Sequence, residues 1–277
     1  MKPCAAVTKH HPAMSSEWLE PRSLEEALEL KARYGDEATV VAGGTFLGIL
    51  VNQRLIEPAR LISLGGVPEL RGITVNGELR LGAMVTHRQV ERSAEVAAGW
   101  PALVRAFSLV ASPRIRVRAT VGGVLADADY ASDPPAMLTA LDATAVVRSV
   151  RGTREIPVDE LIVGHYETTL EPDELIVAVR VPTGATATYR KFRSRSHEDR
   201  PCVAVAVARR EDVLRVVVGA VAERPQFFPE LCTSDDPAEV AAAYAAAIDP
   251  LSDVRGSSLY RSRIIAVEVR RALEELR

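Results

Sequence analysis

The stretch VVAGGTFLGI at residues 40–49 contains an apolar run that stops at Gly43-Gly44 and resumes after Thr45. The run is typical of a buried strand, and the glycine pair at its end permits a sharp turn into a following helix. Such a turn also directs unpaired N–H groups at one place, an arrangement that binds phosphate oxygens. This stretch by itself leaves two interpretations open, a purely structural turn and a phosphate-binding loop.

The loop matches neither of two familiar phosphate-binding motifs. A P-loop requires Lys and then Ser or Thr after its last glycine, whereas Gly48 is followed by Ile49 and Leu50. The nicotinamide fingerprint Gly-x-Gly-x-x-Gly has a different spacing from GGTFLG. The segment ATVGG at residues 119–123, however, repeats the first arrangement. Two such nests of N–H groups, brought together by the fold, could hold the two halves of a diphosphate such as that of FAD.

Helices and strands alternate in the N-terminal part of the chain. Ser23 and Glu26 predict a capped amphipathic helix in SLEEALELKARYG, closed by Gly35. A strand at VVA follows, and Thr45 is expected to cap a helix through FLGILVNQRL. The segment ARLISL then predicts a further strand.

The next block is expected to be α+β. Asn76-Gly77 within ITVNGELRLGA is a strong hairpin signal. Further strands are predicted at TAVVRSV, TREIPV and ELIVAVRVP. Thr86 and Gln89 are expected to cap one helix. A second helical pattern begins at Pro101 and runs to about Val110, and Pro113 ends it.

A second domain is expected to begin near residue 183. CVAVAVARR and VLRVVVGAV alternate around EDV and predict an antiparallel hairpin, and two helical segments follow, DPAEVAAAYAAAI and SSLYRSRIIAVEVRRALEEL. We therefore predict a domain at 1–182, with subdomains at about 1–66 and 67–182, and a second domain at 183–277.

Composition limits the classes of function. The 277 residues are 47% hydrophobic and 26% charged, as in a soluble globular protein of about two domains. A net charge of -3 gives no electrostatic reason to expect nucleic acid or an anionic membrane. Cys4, Cys202 and Cys232 are widely separated, which argues against a disulfide framework or a cysteine-ligated cluster. No signal peptide or membrane span is recognised, so a cytoplasmic protein is expected.

Several longer segments, found in one order, resemble a known family. They are the pattern apolar-Ala-Gly-Gly-Thr-x-Leu, IEPARLISLGGVPELRGI, RIRVRATVGG with an Asp ten residues further on, GHYETTLEPDELIVAVRVP, YRKFRSRSHEDRPCVAVAVA and LSDVRGSSLYRSRIIAVEVRRAL. Over nearly the whole chain this resembles the FAD-binding medium subunit of molybdenum hydroxylases, the family of the carbon monoxide dehydrogenase and xanthine dehydrogenase flavoproteins. The resemblance implies an α+β fold, with a two-subdomain PCMH-type FAD-binding domain followed by a C-terminal antiparallel sheet with helices.

The resemblance also implies which residues bind the flavin. The first loop covers Val40, Val41, Ala42, Gly43, Gly44, Thr45, Phe46 and Leu47, and the second covers Thr120, Val121, Gly122, Gly123 and Val124. Asp133 resembles a ribityl or ribose contact, and Val110 and Ile176 resemble apolar residues beside the ring system or adenine. Lys191 matches a lysine near the flavin, where a cation suits the negative charge of the reduced ring.

Two positions depart from the family pattern. Phe46 replaces a small polar or acidic residue, and Val124 replaces an Asn or Asp. Each change removes a side-chain hydrogen bond worth about 0.5–1.5 kcal/mol, so weaker FAD binding is expected. Neither loop has a His for covalent attachment, so a noncovalent FAD is implied. Valine at Gly43 or Gly123 is expected to abolish flavin binding and leave the fold largely intact.

Asp127, Asp129 and Asp133 have the spacing of three calcium-loop positions, but Ser132 replaces the required Gly and Leu138 the terminal Glu, so no metal site is predicted.

Two basic segments also have alternative interpretations. The first run is followed at once by Glu198 and Asp199, which favours a solvated loop or a flavin contact over nucleic acid. The second alternates along a segment expected to be extended, and either surface or interdomain salt bridges or a partner-facing role would explain it. The runs are Arg190, Lys191, Arg193 and Arg195, and Arg114, Arg116 and Arg118.

The histidines form no HExxH arrangement, and the sequence has no Gly-x-Ser-x-Gly elbow. A solvated or hydrogen-bonded role is expected for each of them, and no catalytic residue is predicted. They are His10, His11, His87, His165 and His197.

The resemblance implies an oxidoreductase subunit that takes electrons from a small [2Fe-2S] subunit, holds them on FAD and passes them to NAD, a quinone or oxygen. A large molybdopterin subunit would oxidise the substrate, in an assembly expected to be a dimer of heterotrimers. Two alternatives stay open at this point: a standalone flavin-dependent reductase, and a structural or regulatory subunit that has lost FAD.

Overall fold

The structure is a computed structural model that describes residues 16–196 and 198–277, so Cys4, His10, His11 and His197 lie outside the described residues. The described chain folds into sheets of three, five and four strands and a two-stranded ribbon, with helices packed between and outside them. The combination of helices with mainly antiparallel sheets confirms the predicted α+β class.

The N-terminal sheet is parallel, with the strand order β1-β3-β2. Its strands are β1 (Glu17–Leu19), β2 (Ala38–Val41) and β3 (Arg60–Ser63), and the connecting helices are α1 (Leu24–Tyr34) and α2 (Leu47–Asn52). This confirms the predicted alternation of helix and strand, and it places the first glycine loop at the carboxyl end of β2.

The two helices of this unit begin differently. The Ser23 hydroxyl accepts a hydrogen bond from the Glu26 N–H at 3.1 Å, and α1 ends at Gly35, whose φ is +49°. The prediction that Thr45 caps the next helix is wrong. Helix α2 starts two residues later, and its N-cap residue, Phe46, makes no side-chain capping bond.

The central sheet is antiparallel, with the order β4-β5-β10-β6-β7. The predicted hairpin is confirmed, with Gly77 at its turn at φ +71°. The strands are β4 (Ile73–Val75), β5 (Glu78–Gly82), β6 (Thr144–Ser149), β7 (Gly152–Pro157) and β10 (Leu175–Pro182), and a ribbon is formed by β8 (Ile162–Gly164) and β9 (Glu167–Thr168).

Seven helices belong to this block. They are α3 (His87–Arg92), α4 (Ala94–Gly99), α5 (Pro101–Ser108), α6 (Pro113–Arg116), α7 (Val121–Ala126), α8 (Asp133–Ala140) and α9 (Val158–Leu161). The reciprocal capping of α3 by Thr86 and Gln89 is confirmed. The predicted extended conformation after Pro113 is wrong, since this proline occupies the first position of α6.

The three arginines in and just after α6 differ in their environments. Arg116 is buried; its guanidinium lies 3.1 Å from Glu91 and donates to the Val110 carbonyl at 2.9 Å. Arg114 and Arg118 are exposed. Arg116 therefore forms a salt bridge, but a buried one within the N-terminal region; in the described ranges neither Arg114 nor Arg118 forms one.

The C-terminal sheet is antiparallel in chain order. It consists of β11 (Thr186–Phe192), β12 (Val203–Arg210), β13 (Val213–Gly219) and β14 (Gln226–Phe227), and it is followed by α10 (Pro237–Ala247) and α11 (Ser258–Leu276). The predicted hairpin between β12 and β13 and both helices are confirmed.

Alternation along β12 gives this sheet two buried faces. Ala204 and Ala206 face the central core, against α8, whereas Val203 and Val205 face a second core formed with α10 and α11. The residues on both faces of the strand are therefore apolar, as expected for a strand covered on both sides.

The described part of the chain also contains four short 3-10 turns, at Gly35–Glu37, Leu64–Gly66, Pro68–Leu70 and Pro229–Leu231. Of the helices in the described ranges, none combines the length and apolar character needed to cross a bilayer.

Candidate functional site

A cavity of about 620 Å³ opens where the three larger sheets meet. Its wall includes Val40 of β2, Ile176 of β10 and Lys191 of β11. The volume lies in the range of small-molecule binding sites, and apolar and charged side chains both contribute to the wall.

The structure brings together nearly all the residues that the sequence predicts for the site. Of the two glycine loops, Asp133, Val110, Ile176 and Lys191, every residue lines this cavity except Val41 and Val121. Val121 is fully buried in the central core, and Val41 is the last residue of β2. Contact of the lining residues with a ligand stays a prediction.

The first glycine loop presents unpaired hydrogen-bond donors. Within the described ranges, no acceptor is found for the backbone N–H groups of Gly43, Gly44 and Thr45. Gly44 has φ +70°, a conformation that favours glycine, and the nearest atom to an added Cβ would be 3.7 Å away. The loop therefore offers a run of free N–H groups beside open space, as an anion-binding nest does.

The second glycine loop is different, because its N–H groups already have acceptors. Val121 N–H donates to the Val85 carbonyl at 2.9 Å and Gly122 N–H to the Ala83 carbonyl at 2.8 Å. Gly123 N–H donates to the Thr120 hydroxyl at 3.1 Å. The prediction of two equivalent nests is therefore wrong: the second loop forms a wall of the cavity without a run of free donors.

Gly122 is explained by packing. A Cβ at Gly122 would lie 2.7 Å from the Cβ of Ala83, on the strand end that follows β5. A Cβ at Gly123 would meet only the Thr120 hydroxyl at 2.8 Å and the Ala42 Cβ at 3.6 Å. Gly122 thus lets helix α7 approach the central sheet, and Gly123 lies next to the first loop.

The two departures from the family pattern have structural explanations. The Phe46 ring stacks on Tyr166, with ring centroids 5.3 Å apart and an interplanar angle of 15°. Val124 is buried in the central core. Both positions therefore exchange a polar side chain for packing within the chain.

Asp133 and Lys191 form a buried pair in the cavity wall. Lys191 Nζ lies 2.8 Å from Asp133 Oδ2 and also donates to the Leu109 carbonyl at 2.9 Å. The Tyr189 hydroxyl donates to Asp133 Oδ1 at 2.7 Å. Burial raises the pKa of Asp133 and lowers that of Lys191, while each partner opposes the change in the other. The pair fixes a cation beside the ligand space.

Two arginines add further positive charge to the wall of the same cavity. Arg200 Nη2 lies 2.7 Å from Asp129 Oδ2, and Arg255 Nη1 lies 3.0 Å from Asp253 Oδ2. The Tyr130 hydroxyl donates to Asp253 at 3.2 Å. These contacts tie the segment after α7 to the loop before α11 and hold both arginines in place.

Asp127 differs from Asp129 and Asp133, two other aspartates of the wall. It is half-buried at the end of α7, and in the described ranges no group donates a hydrogen bond to its carboxylate. Burial, with the charge of Asp129 as a second cause, raises its pKa to about 7.

His87 is buried behind the second glycine loop. Its Nε2 lies 3.3 Å from the Thr120 carbonyl, and burial lowers its pKa to about 4, so the ring is neutral. If Nε2 carries the proton, Nδ1 is left as an acceptor, and no described residue donates to it.

Sequence reasoning did not assign four of these residues to the site. Arg200 and Arg255 lie in two segments that carried the family resemblance, so a signal for them was present. Asp127 was considered only as a calcium ligand. His87 offered no local signal, since its place depends on a contact with Thr120, 33 residues away.

The wall suits the expected dinucleotide. The free N–H groups of the first loop can bind a diphosphate, and the Gly44 position leaves the space for one. Apolar Val110 and Ile176 can border a flat ring, and Lys191 places a cation in the same cavity. The residues present therefore fit FAD.

Comparison with known proteins agrees with this geometry. The profile of the family described as "FAD binding domain in molybdopterin dehydrogenase" matches residues 13–184. The chain is 35% identical over 269 residues to the 6-hydroxypseudooxynicotine dehydrogenase complex subunit alpha of Paenarthrobacter nicotinovorans, covering 91% of this chain and 90% of that protein.

Two carbon monoxide dehydrogenases are also similar. The medium chain from Hydrogenophaga pseudoflava is 31% identical over 273 residues, covering 93% of this chain and 95% of that one. The reconstituted CO dehydrogenase from Oligotropha carboxidovorans contains a chain that superposes with a TM-score of 0.89 at 30% identity, over 94% of this chain and 96% of that chain.

Proposed function

The chain belongs to the family of FAD-binding domains of molybdopterin dehydrogenases, and from this premise we propose that it is the FAD-binding medium subunit of a molybdenum-containing hydroxylase or dehydrogenase. It is a subunit of an oxidoreductase. Its role would be to take electrons from an iron–sulfur subunit and to pass them to an external acceptor.

One observation carries this proposal: Gly43, Gly44 and Thr45, whose N–H groups have no acceptor in the described ranges, line the cavity that also contains the buried Lys191–Asp133 pair. We assign the diphosphate of FAD to the first loop, because unpaired backbone donors are the groups that bind it without a lysine. The second loop closes the wall beside it.

When bound, FAD supplies the chemistry of accepting electrons singly or in pairs. The chain's own residues bind and orient it. Lys191, held by Asp133 and the Leu109 carbonyl, places a fixed positive charge that favours a reduced, anionic ring. Val110 and Ile176 contribute apolar side chains to the wall and would shield the bound ring from water. No side chain of this subunit is assigned a catalytic role.

Partners follow from the family. The names of the relatives, a complex subunit alpha and a medium chain, support an assembly with a small [2Fe-2S] subunit and a large molybdopterin subunit. A dimer of heterotrimers is the assembly we propose. We also propose the domain division at 1–182 and 183–277, since the C-terminal sheet forms its own core with α10 and α11.

The test is purification of the tagged chain from its native host, with identification of the chains that accompany it and quantification of FAD, iron and molybdenum. Copurification with an iron–sulfur chain and a molybdopterin chain is the expected result. A chain that elutes alone and oxidises NADH with an artificial acceptor at ordinary enzymatic rates would favour the standalone reductase instead.

A further inference from the structure

Asp127 lies at the end of α7, in the wall of the cavity to which the dinucleotide is assigned. It caps the end of α7, its backbone N–H donating to the Gly123 carbonyl at 2.9 Å, so the helix leads from the second glycine loop directly to this residue. Ala128, the next residue, accepts a hydrogen bond at 3.2 Å from the N–H of Tyr166, the aromatic partner of Phe46.

The neighbouring carboxylates of Asp129 and Asp133 have hydrogen-bond donors and cations beside them, whereas that of Asp127 has none in the described ranges. Asp129 accepts from the Ala131 N–H at 3.1 Å and pairs with Arg200. Asp133 is held by Lys191 and Tyr189. No comparable donor reaches Asp127 from the described ranges. A ligand that fills the cavity would bury this half-exposed carboxylate further.

This further burial decides the protonation state of Asp127. A buried carboxylate without a donor is costly, and a group in that position takes up a proton instead. Its pKa is already raised to about 7 by burial and by Asp129. The diphosphate of a dinucleotide adds negative charge to the same cavity, which favours the neutral acid further. A neutral carboxylic acid has an O–H donor that a carboxylate lacks.

We infer that Asp127 is a neutral carboxylic acid when the flavin dinucleotide is bound and donates a hydrogen bond to it, so that binding takes up one proton. This rests on the proposed function and adds to it a binding residue outside both glycine loops. The cofactor affinity of the chain therefore falls as the pH rises.

Other charged groups near this part of the wall are fixed or can be tested. Asp129 and Asp133 are paired as above, and Asp199 and Arg255 lie 3.7 Å apart. Glu198 and Glu171 also line the cavity, and His87 is neutral. His165 lies on the neighbouring turn, its ring 4.7 Å from that of Tyr130, and is a second titratable group to control.

The test measures FAD binding to the full-length apoprotein by quenching of flavin fluorescence between pH 6 and 8.5. If only the protonated form binds, the Kd rises about thirtyfold across this range for a pKa near 7. In Asp127→Asn, whose amide keeps a donor at every pH, the Kd stays near the wild-type value at pH 6. Asp127→Ser, a second variant, also loses the pH dependence. His165→Gln, the matched control, keeps it.

Calorimetry of wild-type binding in two buffers of different ionisation enthalpy is expected to show uptake of about one proton at pH 8. A flat wild-type Kd, or Asp127 variants that keep the wild-type profile, would overturn the inference and leave the proposed function standing. Failure of the wild-type chain to bind FAD at any pH would overturn both.

Discussion

Gly43 packs directly against the backbone carbonyl of Arg118. A Cβ atom added at Gly43 would lie far closer to that oxygen than the 3.0 Å that real Cβ atoms respect. Arg118 precedes the second glycine loop by two residues, so this contact joins the two loops. Gly43 is therefore required by the fold itself, before any ligand binds, and the expectation that valine there leaves the fold intact is wrong.

Gly43→Ala is expected to destabilise the apoprotein by about 1–3 kcal/mol, because the neighbour is backbone and cannot rotate away. The matched control is Gly48→Ala in α2, where an added Cβ meets nothing within 4 Å. That change is expected to be neutral or to stabilise by up to about 1 kcal/mol. Urea unfolding of both variants measures the difference, and equal free energies of unfolding would refute the packing argument.

The Lys191–Asp133 pair predicts that the effects of mutating the two residues on the free energy of unfolding are strongly coupled. Lys191→Met leaves the Asp133 carboxylate buried without its cation, at a cost of about 3–5 kcal/mol in the free energy of unfolding. Adding Asp133→Asn removes the stranded charge and is expected to recover much of the loss. A double-mutant cycle by urea unfolding measures this, and strictly additive effects would contradict the pairing.

Asp253 predicts a loss of stability in acid. Burial alone would raise its pKa, but the Arg255 N–H at 2.7 Å and the Arg261 guanidinium at 2.5 Å lower it to about 2. Because the folded pKa lies below the unfolded value of about 3.9, the stabilisation is complete above that value and is lost as the pH falls through 2.

The free energy of unfolding of the wild-type chain is thus expected to fall by about 2 kcal/mol between pH 5 and pH 2 through Asp253. Asp253→Asn is less stable at pH 5 and lacks this part of the acid dependence. Asp235→Asn, at an exposed position, serves as the control and keeps the wild-type profile. Chemical denaturation across the range checks this, and an unchanged acid profile in Asp253→Asn would count against it.

Local patterns in the sequence predicted most of the elements. The turn at Asn76-Gly77 and the capping pair Thr86 and Gln89 formed as expected, because each depends on residues at most three positions apart. Thr45 failed as a cap since α2 begins two residues later. Pro113 began a helix instead of only ending one, and either role suits a proline.

Contacts between residues far apart in the sequence decide the properties of the site, and local patterns do not predict them. The pattern around Gly122 suggested free N–H groups, but their acceptors, the carbonyls of Ala83 and Val85, belong to a segment nearly forty residues away. No local spacing reveals such a partner. The unpaired state of Asp127 and the contact between Gly43 and Arg118 likewise depend on tertiary structure. The domain boundary near 182 stays a prediction.

The most direct measurement of the central claim is the flavin content of the purified full-length chain. One FAD per chain is expected, released into the supernatant by acid denaturation, with recovery of the same stoichiometry when the apoprotein is titrated with FAD. A colourless chain that takes up no added FAD at any pH between 6 and 8.5 would contradict the assignment of the cavity and favour a structural subunit that has lost the cofactor.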